Sequence, residues 1–150
     1  MIQLKTIEDF LSTKKLAIAG VSRNPKKFGG AVFKQLTETG FTVYPINPNA
    51  EMIRETRCYP DVSSLPGEVD RLFIVTPKKQ TLSIVEDAAK KGIKKVWIQQ
   101  MSHSDEAIKL AEENNMELIT KECILMFVEP VGGVHKFHRF FKKLFGSYPR

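Results

Sequence analysis

The sequence predicts an α/β fold: a Rossmann-like, doubly wound, mainly parallel five-stranded sheet with helices on both faces and an extra C-terminal helix. Three observations predict it. Short apolar, β-rich runs alternate with helical patterns five times along the 150 residues, which implies parallel strands joined by right-handed crossovers. The runs "LAIAG", "LFIVT" and "VWIQ" are continuously apolar rather than alternating, as strands buried on both faces must be. Glycines punctuate the pattern, with Gly20 closing the first strand and Gly40 and Gly92 closing helices.

In order, Thr6 followed by "IEDFLS" reads as an N-capped short helix, with Asp9 supplying the capping-box charge. "KLAIAG" (15–20) is the first strand, and "FGGAVFKQLTETG" (28–40) is a helix carrying Val32, Phe33 and Leu36. "FTVYPIN" (41–47) is the second strand and "RLFIVT" (71–76) the third. "QTLSIVEDAAKKG" (80–92) is a helix, and "KKVWIQ" (94–99) the fourth strand. "SDEAIKLAEENN" is a helix capped by Ser102 or Ser104, and "MELIT" the fifth strand. From His135, the residues Phe137, Phe140, Phe141 and Leu144 outline a basic amphipathic helix within 132–150, expected to pack its apolar side on the sheet with its cations outward. The stretch 50–70, with Pro60, Pro66 and Gly67, is the least regular.

Composition bounds the function. With 42% hydrophobic and 27% charged residues, the chain can bury a core beneath an ordinary polar surface. No apolar run reaches the roughly 18 residues of a membrane span, and the N-terminus has no long apolar stretch of signal-peptide type. Cys58 and Cys123 suggest no disulfide scaffold, so the expected location is cytoplasmic. The net charge of +6 favours an anionic partner. Its cations gather in two places: Arg23, Lys26 and Lys27 near the start, and Lys136, Arg139, Lys142, Lys143 and Arg150 in a tail with no acid after Glu129.

In an open α/β sheet, ligands bind at the carboxyl ends of the strands, where strand order reverses. Those ends are Gly20, then Asn47 and Pro48, then Thr76 and Pro77, then Gln99 and Gln100. The first loop feeds a helix beginning near Phe28 and Gly29, and a helix N-terminus with unbonded N–H groups seats a phosphate. Gly20 and Gly29 allow close backbone approach, Ser22 offers a hydroxyl, and Arg23, Lys26 and Lys27 add charge. The loop is neither a G-x-G-x-x-G fingerprint nor a P-loop. Strand two ends in neutral Asn47 where an NAD site wants an acid, which disfavours NAD and leaves NADP open, with Arg23 for its 2′-phosphate.

Several separated motifs then resemble one family. Gly20-Val21-Ser22, Asn24-Pro25, Lys26, Gly29 and "VYPINP" (43–48) resemble the opening of the small CoA-binding proteins, single-domain relatives of the CoA-binding domain of the succinyl-CoA synthetase alpha subunit. "CYPDVSSLPGEVD", with Tyr59, Leu65, Pro66, Val69 and Asp70, and "GIKKVWIQQM", with Trp97 and Gln99, are similar to later segments of that family. The likeness spans roughly residues 5 to 125. It implies one CoA-binding domain over residues 1–150, taking coenzyme A or an acyl-CoA. Gly20, Val21, Ser22 and Arg23 would contact the diphosphate, and Lys26 or Lys27 the 3′-phosphate. Asn47 and Pro48 would border the adenosine, and Thr76 and Pro77 would flank the pantetheine. Departures lie at Val21, at "VTPKKQT" and in the C-terminal segment.

Chemistry is harder to find. His103 reads as a turn residue, His135 and His138 as a helix face, Cys123 as a small buried residue and Trp97 as sheet core. No nucleophile, base and orienter come together in the sequence. The expectation is therefore a non-catalytic binding or regulatory module, with a possible protein partner or homodimer. Two alternatives stand beside it: an NADP- or other nucleotide-dependent enzyme, and binding of an anionic surface through the basic tail. The sequence weighs against nucleic-acid and membrane partners.

Overall fold

The computed structural model describes residues 2–129, 133–144 and 146–150, apart from the side chains of Val134, Phe137 and Phe141. Helix α1 (Leu4–Ser12) leads into β1 (Lys15–Ala19), α2 (Phe28–Glu38) and β2 (Thr42–Ile46). A short antiparallel hairpin follows, β3 (Met52–Ile53) and β4 (Thr56–Arg57). The chain continues through β5 (Arg71–Ile74), α3 (Lys78–Lys91), β6 (Lys95–Ile98), α4 (Asp105–Glu113), β7 (Glu117–Ile119) and α5 (Gly133–Leu144).

The main sheet has five strands in the order β2-β1-β5-β6-β7, every adjacent pair parallel. The α/β, doubly wound architecture is thus as the sequence predicts. Side chains alternate between two cores. Leu16, Ile18, Phe73 and Trp97 face α1, α2 and the segment around Ile124 and Val128. Ala17, Ala19, Leu72, Ile74, Val96 and Ile98 face α3, α4 and the turn carrying Val62, Leu65 and Val69. Because both faces are covered, the strands read as unbroken apolar runs. Trp97 is fully buried at the centre of its layer, edge-on to Phe10 and Phe73 at 5.5 and 6.2 Å, and its Nε1 donates to the Glu122 carbonyl.

Several local expectations change. Helix α1 begins at Leu4, capped by no side chain, and Thr6 lies inside it; the Leu4 N–H is taken by the Arg150 carbonyl, a long-range bond invisible in local pattern. Asp9 serves no cap. It pairs with Arg71 and Lys95 at the N-terminal ends of β5 and β6. Helix α3 starts two residues earlier than the pattern suggests, and Ser104, not Ser102, caps α4 by accepting the Ala107 N–H. The irregular stretch contains the β3–β4 hairpin, whose two-residue strands are too short to carry a period.

Helix α5 departs most. Phe140 and Leu144, assigned to the core, are 60% and 63% exposed, while Phe137 and Phe141 lie outside the described side chains. Two of the cations expected to face outward instead anchor the helix: Arg139 pairs with Glu129, and Lys142 with Glu122 at 2.6 Å. The helix ends at Leu144, and Tyr148 beyond it stacks on Phe127 at 5.4 Å. Gly132, the expected start of this region, lies outside the described residues.

Candidate functional site

Strand β1 is followed through α2 by β2 on one side, while β5 lies on its other side. The strand order therefore reverses between β1 and β5, and a cavity of about 750 Å³ opens there. Ten of the thirteen residues expected at a site line it: Gly20, Val21 and Ser22 after β1; Lys27, Phe28 and Gly29 at the start of α2; Asn47 and Pro48 after β2; Thr76 and Pro77 after β5. Arg23, Lys26 and Gln99 do not line it. Gln99 is buried at the end of β6, its N–H donating to the Ile74 carbonyl and its Oε1 accepting the Ile124 N–H at 3.4 Å. Arg23 and Lys26 are exposed on the loop.

The wall is built by backbone meeting backbone. Gly20 sits at φ +99°, and a Cβ there would stand 2.8 Å from the Thr76 nitrogen. At Gly29 a Cβ would lie 2.2 Å from the Gly20 carbonyl oxygen, and at Gly30, 2.3 Å from that of Asn24. The glycines of "FGG" thus let the first turn of α2 press onto its own loop. Sequence reasoning gave Gly29 to ligand approach and passed over Gly30; two successive glycines at a helix start were the available signal.

Polar side chains then fix the loop. Ser22 Oγ accepts the Asn24 N–H at 3.1 Å, and Asn24 Oδ1 accepts the Lys26 N–H at 3.0 Å. Asn47 Nδ2 donates to the Val21 carbonyl at 2.9 Å while its Oδ1 accepts the Asn49 N–H, so Asn47 ties the end of β2 to the loop after β1. An acid there could not donate this bond, which accounts for the amide.

No side chain caps the N-terminus of α2 or of α3, whose flanking residues Lys27 and Pro77 both line the cavity. Uncapped first-turn N–H groups carry partial positive charge and seek an acceptor. Thr76 adds a second unmet group: it is 6% exposed, and its buried Oγ1 has no hydrogen-bond partner among the described residues. The Thr76 carbonyl, by contrast, accepts from Ser102 Oγ at 2.5 Å, so the residue is held with its hydroxyl unspent. The outer wall, absent from the sequence reading, comes from Pro60, Asp61 and the α3 residues Gln80, Ser83, Ile84 and Asp87. Hydrogen bonds from Ser63 and Ser64 hold the Asp61 carboxyl below its ordinary range, so it stays charged.

Other reactive residues lie outside the cavity. His103 pairs with Asp105 at 2.8 Å in the turn before α4. Cys123 is buried, with Sγ 3.6 Å from His135 Nδ1, and burial pulls the His135 pKa down. Among the described residues no group of three His, Cys, Asp or Glu is placed to hold a metal, and no helix is long and apolar enough to cross a membrane.

Fold and cavity together define a doubly wound α/β protein with an open pocket at its switch point. The family model for the CoA binding domain matches residues 14–129, and the chain belongs to that family. It is 35% identical over 132 residues to an ADP-forming acetate–CoA ligase II of Archaeoglobus fulgidus, covering 85% of this chain and 20% of the ligase. With the alpha subunit of the corresponding ligase II of Pyrococcus furiosus it shares 32% identity over 129 residues, covering 79% of this chain and 28% of that one. The chain thus spans less than a third of these curated relatives. Among solved structures, a hypothetical protein from Pyrococcus horikoshii superposes with a TM-score of 0.79 at 34% identity, covering 86% of this chain and 92% of that one.

Proposed function

We propose that this protein binds coenzyme A, free or acylated, in the switch-point cavity, and that it does so as a non-catalytic binding or regulatory module. The observation that carries the reading is the Thr76 hydroxyl, buried without a partner in the wall that the uncapped start of α2 also faces. A buried hydroxyl left unbonded costs free energy unless something completes it. Membership of a CoA-binding family names the candidate.

In this reading the diphosphate sits at the α2 N-terminus, with Gly20, Val21 and Ser22 against it and Lys27 supplying charge. The adenosine lies toward Asn47 and Pro48, and the pantetheine passes Thr76 and Pro77. A cavity of about 750 Å³ suits a ligand of this class. The domain holds and orients the molecule; whatever reaction consumes it takes place outside the residues described above.

Calorimetric titration with CoA, acetyl-CoA, NADP and NAD tests the proposal. It expects saturable binding of CoA and acetyl-CoA, no binding of NAD, and about tenfold weaker CoA binding in Lys27→Ala from loss of a charge-assisted contact. Tight NADP binding with no CoA binding would replace it with the dinucleotide reading.

A further inference from the structure

The β3–β4 hairpin builds a second chamber of about 670 Å³, lined by Asn47, Pro48, Asn49, Arg57, Cys58 and neighbouring residues. Asn47, Pro48, Asn49 and Pro60 line both chambers, so the two share a rim at the end of β2. The hairpin's exit is fixed to that strand: the Tyr59 N–H donates to the Pro45 carbonyl at 2.8 Å, and the Asn47 N–H to the Tyr59 carbonyl at 2.9 Å. Arg57 is therefore held beside the end of β2 even though its hairpin is small. It stacks over Tyr59 at 5.4 Å and, among the described residues, enters no ion pair. Arg23 lines neither chamber. Lys26 lines neither chamber, and Lys27 lines only the first.

In doubly wound sheets, a nucleotide whose diphosphate sits on the first helix lays its ribose at the end of strand two, and an arginine there accommodates a ribose phosphate. Here the chamber with Arg57 opens at that point. We infer that the second chamber receives a phosphomonoester borne on the ribose of the bound nucleotide, with Arg57 as its clamp. This rests on the nucleotide reading above and sharpens it, because it moves the third phosphate from Lys26 or Lys27 to Arg57 on the hairpin. The chemistry is shared by the 3′-phosphate of CoA and the 2′-phosphate of NADP. Glu51, an exposed acid in the same lining, works against the clamp.

The test compares ligand pairs that differ in this phosphate alone: CoA with dephospho-CoA, and NADP with NAD. Each is titrated calorimetrically into the wild type, Arg57→Ala, Arg57→Lys, Glu51→Gln and Lys27→Ala. All three positions are exposed, and thermal midpoints check that each variant folds. The wild type should favour CoA over dephospho-CoA by about tenfold, the scale of a charge-assisted contact. Arg57→Ala should weaken CoA about fivefold and leave dephospho-CoA unchanged, Arg57→Lys should recover part of the preference, and Glu51→Gln should raise it. Lys27→Ala should weaken both ligands alike. A CoA preference undisturbed in Arg57→Ala, or an equal loss for both ligands, overturns the clamp while CoA binding stands. Failure of both CoA and dephospho-CoA to bind the wild type removes the CoA reading. The NADP and NAD arm then decides the clamp, which falls if that pair shows no arginine-dependent preference.

Discussion

At the N-terminal end of the sheet, Arg71 is 5% exposed and its Nη1 lies 3.5 Å from Asp9 Oδ2, while Lys95 bonds the same carboxylate and lies 3.9 Å from Glu117. At the opposite end, Arg23, Lys26, Lys27 and Arg57 enter no ion pair among the described residues, two helix N-termini go uncapped and a buried hydroxyl lacks a partner. The first end turns its charges on one another, fastening α1 across β5 and β6; even Arg71 Nε, buried without an aligned hydrogen bond, lies 3.2 Å from Asp70 Oδ1. The second leaves its polar groups unspent around a cavity. Matched charge is how a fold closes an edge; unmatched polar groups on a rigid frame are what a ligand can satisfy.

Substitutions can break each end separately. The largest effect should come from Gly29→Ala, whose Cβ would stand 2.2 Å from the Gly20 carbonyl. Relieving that clash moves the first turn of α2, costing about 3 kcal/mol in urea denaturation and abolishing ligand binding. Arg71→Ala should cost about 2 kcal/mol, through lost packing and pairing, with ligand affinity unchanged. Thr76→Val separates the two kinds of contribution. Removing an unbonded buried hydroxyl should stabilise the unliganded protein by about 1 kcal/mol while weakening CoA several-fold. The smallest effect is acid sensitivity. Lys95, chiefly by its hydrogen bond, holds the Asp9 carboxyl below its ordinary value of 3.8. A carboxylate with a lowered folded-state pKa gives stability that is fully present above the ordinary value and lost as pH falls through the lowered one. Asp9→Asn should remove that part of the acid transition, measured as thermal midpoints below pH 4.

Much of this architecture is legible in the chain because the strands are buried on both faces, so "LAIA", "RLFI" and "KVWI" announce themselves without any period. The cavity's location follows from strand ends alone, and so do the lining residues just after β1, β2 and β5; the outer wall from Pro60, Asp61 and α3 does not. What escaped reading depends on contacts across the fold. The bond from Leu4 to Arg150 starts α1, and Asn47 is chosen by a carbonyl 26 residues away. Gly30 answers to the Asn24 carbonyl, a distance no spacing rule encodes. The β3–β4 hairpin, and with it Arg57, hides in strands of two residues. In α5 the cations and aromatics suggested an apolar underside, yet Arg139 and Lys142 supply anchors to Glu129 and Glu122, pairings set by the preceding turn rather than by helix periodicity.

The most direct measurement is an amide NMR titration of the whole protein with CoA. Saturable shifts confined to Gly20, Ser22, Phe28, Gly29, Asn47 and Thr76, with Asp9, Arg71, Lys95 and Glu117 silent, are the predicted result. No shifts at high CoA, or shifts gathered on α5 instead, would contradict the division of labour between the two ends of the sheet.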